Sequence, residues 1–396
     1  MRSTCCFYDA TLKNSLLITS TNCTPHRVAF SSFNGLLLIL QLPDGLEPLL
    51  STGNSKDIPS LYKRYLSTIL HVKSWYDDDV FNPETKGYKS IRQVRAMHRR
   101  VQQIMNDKFD VGDVDGKKRL WMNQYDVAMT QFAFIGLSML YPKKTAMIAA
   151  SESELELINY YWRVLGWLMG LEDEYNLCQF DSYADIKEFN RLIFENEYKA
   201  KFVEQPCEKG LEMTKAICLA LHYFLPLVSF NQLAHWWKDC FKFNGYDPQP
   251  MSARDRLLDF WTKLSFNTLL KNEKFLRFST KLHQKRFDAR LQRKDKVCED
   301  LKEQYKECPY VFYSDRIDYF AKVDKVKDSV DNNGNISNDN SNVAADDNNN
   351  RDSNGLESAQ ANTKQVFTNV CPFGFETVLP SVAPVQTMPQ DTTISA

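Results

Sequence analysis

The chain has 396 residues, 49 Lys+Arg against 50 Asp+Glu, 43% apolar and 13% aromatic content. This is the composition of a globular protein rather than a fibre or a disulfide miniprotein, and the length allows one large domain or two ordinary ones. A formal net charge of −1 supplies no global field for holding polyanions, so no nucleic-acid partner is expected.

Residues 1–41 mix Ser, Thr, Asn and Cys without the basic-then-apolar pattern of a secretion signal, and read as a poorly defined N-terminal segment. The apolar run Leu36-Leu37-Leu38-Ile39-Leu40 stops at Gln41 and Pro43, far short of the roughly 20 residues a spanning helix needs, so no transmembrane helix is expected. The 10 cysteines form no C-x-x-C or C-x-x-C-H spacing. That excludes a zinc ribbon, a thioredoxin motif and thioether-linked haem, and the scatter fits free thiols in a reducing, intracellular compartment.

From 42 to 326 the apolar residues recur at three and four rather than two, and no Asn-Gly or Asp-Gly signal is counted within a β-alternating segment. The expected fold class is all-α: a single large helical domain with helices near 59–75, 88–106, 123–140, 152–170, 186–200, 208–224, 230–241, 252–270 and 274–306. Ser151 followed by Glu154 is a capping-box signal, and Pro142 and Pro226 each stop a helical pattern. From 327 to 396 the composition changes. Ten Asn, six Asp and four Ser fall between Asp328 and Asn354, too little apolar content to offset the entropy of ordering, so a disordered tail is expected.

Four segments could carry chemistry. In the 88–106 helix, positions 91, 94, 98, 101 and 105 share one apolar face, and His98 sits at its centre. An imidazole there needs a partner, either a core hydrogen bond, the commoner outcome for a lone histidine, or a metal. In the 59–75 helix Arg64, Thr68 and His71 fall within about 60° of one another. A guanidinium and a hydroxyl one turn apart can both donate to an anion or a polarised oxygen, although a solvated edge gives the same pattern. Gly166 and Gly170, four apart, suit close helix packing or a flat ligand. The basic run from Arg277 to Lys296, broken only by Asp288 and Asp295, could meet nucleic acid or peripheral lipid headgroups, and reads more simply as a solvated helix face.

Taken in order, Arg64-x-x-x-Thr68, His98 within Val94-Arg95-Ala96-Met97-His98, Asn123-Gln124 through Thr130-Gln131-Phe132, and Trp162-Arg163-Val164-Leu165-Gly166 resemble the latex-clearing protein and mpaB-type (rubber oxygenase) catalytic-domain family. The likeness runs in ordered motifs from about Leu42 to Cys178. It implies a globin-like helical core and a non-covalent haem b whose iron is ligated by His98, with Arg64 and Thr68 beside the haem. It also implies dioxygen and a hydrophobic, isoprenoid small molecule as reactants, joined in oxidative C=C cleavage. The location is not set by these motifs; the cysteines alone favour an intracellular one, cytoplasmic or endoplasmic-reticulum-associated. Phe132, Phe134, Trp162 and Trp167 would suit the walls of such a site.

The chain departs from the family pattern in three places. Ser67 stands where latex-clearing enzymes carry a lysine before the threonine. The upstream base glutamate has only Asp44 and Glu47 as counterparts, and neither can be assigned. The membrane anchor of the fungal mpaB-type enzyme has no equivalent. Two other classes therefore stay open: a non-catalytic haem-binding sensor or carrier, and a cofactor-free helical interaction protein. His71, one turn past Thr68, competes as an iron ligand.

Overall fold

A computed structural model describes residues 24–312, apart from short breaks at 110–112, 115–116, 119, 205–206, 244–245 and 308–309. The expected tail, 327–396, lies outside the described residues. These comprise a helical body and, as a separate unit, a two-stranded ribbon in which Asp113–Val114 (β1) pairs antiparallel with Lys117–Lys118 (β2). The strands flank the dipeptide Asp115-Gly116, a hairpin signal that the helical reading passed over because only two residues on each side pair.

The helices are α1 (Thr24–Leu38), α2 (Pro43–Ser51), α3 (Ile58–Asp77), α4 (Lys86–Lys108), α5 (Gln124–Leu140), α6 (Glu152–Met169), α7 (Tyr183–Ile193), α8 (Ala200–Glu204), α9 (Glu208–Leu221), α10 (Phe230–Phe241), α11 (Ala253–Asn267), α12 (Glu273–Leu291) and α13 (Lys294–Gln304). The fold is all-α as expected, and most starts carry a side-chain cap. Asp57, Thr85, Asn123, Ser151, Ser229 and Ser252 each accept a backbone N–H one turn on, satisfying donors that a helix start leaves orphaned. The expected helix at 274–306 is two helices: Arg293 leaves helical geometry between α12 and α13, and the Tyr62 hydroxyl of α3 donates to the Lys294 carbonyl beside that break.

The segment at 1–41 differs most from its reading, because Thr24–Leu38 is a helix. It lies along α5, the central helix, which buries twelve residues spread around its circumference. At the crossing a Cβ on Gly35 would stand 1.9 Å from the Ala133 carbonyl oxygen, so backbone packs on backbone. Ser31 hydrogen-bonds Ser138, Ser32 donates to the Phe134 carbonyl at 2.6 Å, and the Trp237 indole donates to Asn34 at 2.7 Å. Small polar residues that look like a linker in sequence are what let two helices approach this closely.

A π-helical turn, Phe194–Lys199, joins α7 to α8. It places the buried carboxylate of Glu197 against the Tyr125 hydroxyl and 3.1 Å from Lys201 Nζ, a satisfied buried charge. Among the described residues no helix is long and apolar enough to cross a membrane.

Candidate functional site

The expected site residues sit on α3 and α4, consecutive helices joined by a short connection and packed on one another. Near that connection Ser90 of α4 lies 2.8 Å from Nδ1 of His71 and accepts the Trp75 indole proton at 2.9 Å. The Ser90 hydroxyl thus ties His71 and Trp75 of α3 to α4. His98 is eight residues beyond Ser90 and Arg64 seven before His71, which at 1.5 Å per residue is about 12 Å and about 10.5 Å from the pin. In an antiparallel pair these offsets bring His98 and Arg64 to the same level.

The stripe expected on α4 is present: Ile91, Val94 and Met105 are buried and Val101 is half-buried. His98 breaks the series. Its ring is accessible to water, yet enclosing protein pulls its pKa down to about 4, with the charges of Arg64 and His71 adding to that fall. Protein groups surround the exposed ring, with Arg64 and His71 close enough for their charges to reach it. His98 is therefore neutral at pH 7, and among the described residues it makes no hydrogen bond, so its lone pair is free to bind.

Arg64 lies close enough to His98 for its charge to reach the ring. Its Nη1 donates to Thr52 Oγ1 at 3.0 Å and Ser55 Oγ at 3.3 Å, and burial lowers its proton affinity. Among the described residues no carboxylate pairs with it. A half-buried guanidinium held only by neutral hydroxyls keeps N–H donors free for an anion. Thr68, half-buried one turn on, donates to the Arg64 carbonyl at 3.2 Å, which fixes its hydroxyl oxygen on the same stripe. Ser67 is exposed. The structure thus brings His98, Arg64 and His71 together with Thr68 beside them. Thr52 and Ser55 were missed: they lie in Ser51-Thr52-Gly53-Asn54-Ser55, which resembles any polar turn.

The other motif residues join α5 to α6 and the turn that follows it, and Arg95 ties α6 to α4. Gln124 donates to the Gly170 carbonyl at 3.1 Å and accepts from Glu172 N–H at 3.0 Å. Gln131 donates to the Trp162 carbonyl and to Asn176 Oδ1, both at 2.9 Å, and accepts from Leu177 N–H at 3.0 Å. A Cβ on Gly166 would stand 2.5 Å from the Gln131 amide nitrogen, and Gly170 ends α6 at φ +100° beside the Arg95 guanidinium. Arg95 in turn donates to the Leu168 carbonyl at 3.1 Å, so α4 caps α6 one turn before His98. Both glycines thus serve close packing and a helix end.

The expected walls belong largely to the core. Phe132 is fully buried against Tyr198, and Trp162 stacks on the half-buried Phe134 at 5.0 Å while donating to the Tyr76 hydroxyl. Trp167 is exposed. Asp44's side chain lies outside the described residues, and Glu47 accepts from Ser51 at 3.4 Å on α2. Among the described residues no group of three or more His, Cys, Asp or Glu converges as a metal cluster, so the candidate metal ligand is a single imidazole.

No curated protein and no solved structure matches the chain. The family model described as "ER-bound oxygenase mpaB/B'/Rubber oxygenase, catalytic domain" matches residues 26–257, a span that begins within α1, contains Arg64, Thr68, His98 and every bracing residue, and ends within α11. This chain belongs to that oxygenase catalytic-domain family.

Proposed function

We propose that the protein is a haem b-dependent oxygenase that acts with dioxygen on a hydrophobic, isoprenoid-type substrate, cleaving a carbon–carbon double bond. The observation that carries this is His98, a neutral imidazole with no hydrogen bond among the described residues, set in a largely buried apolar stripe and close to the Arg64 guanidinium. The imidazole and the cation fit the group: a porphyrin brings four nitrogens of its own and asks the protein for one imidazole, and a cation suits its charged or polarised oxygens.

When bound, haem supplies the iron at which dioxygen is activated. The chain's own residues supply position and charge. His98 offers its lone pair without first losing a proton at neutral pH. Arg64, preset by Thr52 and Ser55, donates charge-assisted hydrogen bonds to negative charge developing on oxygen, worth roughly 1.5–3 kcal/mol each. Thr68 orients an oxygen or holds a proton one turn away. No base is assigned.

Reconstitution of the purified protein with haemin is expected to give a Soret band that His98→Ala abolishes and Arg64→Gln retains. Oxygen uptake with a polyunsaturated isoprenoid is expected for the wild type and strongly reduced in Arg64→Gln. Absence of a Soret band would end the haem reading. A Soret band without oxygen uptake would favour the second reading, a haem carrier or sensor, to which Ser67 in the lysine position points.

A further inference from the structure

We propose that the outer face of α11 and α12 is a docking surface for an anionic phospholipid bilayer. This is independent of haem binding and of the catalytic reading. Helix α11 buries Asp255 and Leu258 on one side and leaves Leu257, Phe260 and Trp261 exposed at 56%, 58% and 49% on the other. At 100° per residue these three span about 100° of the helix, the width of an amphipathic stripe. On α12, the next helix in the chain, Phe278 is a further large apolar group, exposed at 63%. Lys274, Lys281 and Lys285 lie within about 60° of Phe278 on the helix wheel, all exposed and without an ion pair among the described residues. Apolar side chains outside a well-filled core mark an interaction surface when they cluster.

Charge selects the occupant. Residues 253–291 hold ten Lys/Arg against four Asp/Glu in a chain whose totals are 49 and 50. Beside the apolar face Arg254 Nη2 donates to His222 Nε2 at 3.0 Å, so His222 is neutral there. Arg290 donates to the Phe224 carbonyl at 3.0 Å and lies over the Tyr223 ring. Arg254 and Arg290 both bear on His222, and Arg286 and Arg290 on His283. Guanidinium groups from two helices thus gather with no carboxylate ion-paired to Arg254, Arg286 or Arg290 among the described residues, which suits headgroup phosphates. A second copy of this chain is disfavoured, because a two-fold contact through this face sets lysines against lysines. A bilayer accepts both features, taking the apolar stripe to about 5–10 Å depth and the basic groups at the headgroups.

The test is flotation of the full chain with vesicles of phosphatidylcholine alone or with roughly a third phosphatidylserine, at about 0.1 and about 0.5 M salt. Binding is expected to the anionic vesicles, about tenfold weaker to neutral ones and weakened by salt. Brominated acyl chains should quench emission in the wild type and markedly less in Trp261→Phe, which places that indole in the bilayer. Leu257→Ser/Phe260→Ser and Lys274→Glu/Lys281→Glu/Lys285→Glu variants with unchanged far-ultraviolet circular dichroism should each float about tenfold less. Failure of the full chain to float, flotation unaffected by either variant, or conversion of a dimer to a monomer by the apolar variant would each overturn the assignment. So would basic-face variants that lose single-stranded RNA binding while still floating.

Discussion

His98 and Arg64 are each ordinary residues made unusual by what surrounds them. His98 gives up a proton more readily than free histidine because protein encloses it and Arg64 faces it, which sets its pKa at about 4. In haem-free protein this has a signed consequence. Between pH 6.5 and about 4 the unfolded chain carries a proton at this position that the folded one lacks, so stability present above pH 6.5 falls as the pH drops through that window. His98→Leu is expected to flatten that part of the acid-unfolding curve, measured by denaturant titration at pH 7 and pH 5. An unchanged curve would mean the ring is solvated. Arg64 is half-buried with only hydroxyl partners, so Arg64→Gln should leave the stability of the haem-free protein within about 1 kcal/mol of the wild type. A loss above about 2 kcal/mol would show that a counter-ion already compensates the charge.

Helices α5 and α6 with their connecting turns hold the motif residues that carry no chemistry. Gln131 joins the Trp162 carbonyl, Asn176 and the Leu177 N–H, and replacing it by leucine strands buried groups worth about 1–3 kcal/mol apiece. Gln131→Leu is therefore expected to lower thermal stability by about 3 kcal/mol while haemin affinity, titrated well below the melting point, stays within about twofold of wild type. A large affinity loss in the folded variant would place Gln131 in the site. At the α1–α5 crossing, Gly35→Ala pushes a methyl group into the Ala133 carbonyl and should cost about 2–3 kcal/mol, read as a fall in melting temperature. Capping signals at Ser151 and the 3.6-residue periods of α3 to α6 are local, and these elements lie within a few residues of their expected spans. The start of α1 and the α12–α13 break depend on partners far away in sequence, and periodicity does not register them.

Over the whole molecule, a ligand that binds only the folded state raises its stability by mass action, about 2.7 kcal/mol at a hundredfold excess over Kd. For a helical body of this size that is a rise of roughly 5–8 °C in the melting temperature. Haemin is expected to produce it in the wild type and not in His98→Ala, as followed by circular dichroism. Charge is also organised at this scale. In a chain of formal net charge −1, residues 253–291 carry ten Lys/Arg against four Asp/Glu, and exposed aromatic side chains accompany them on α11 and α12.

The sequence by itself determined the helical class, the capped start of α6, and the family, because periods, caps and ordered motifs act over a few residues to a few turns. It also put Arg64, Thr68 and His71 on one stripe and His98 on the facing helix. The tertiary structure decided the rest. Whether His98 is a packed core residue or an imidazole with a free lone pair depends on what α3 sets beside it. Whether Arg64 is a solvated edge or a half-enclosed cation depends on Thr52 and Ser55, which hold it from the turn after α2. Both are matters of enclosure, and the enclosing groups come from elements whose positions no local pattern encodes.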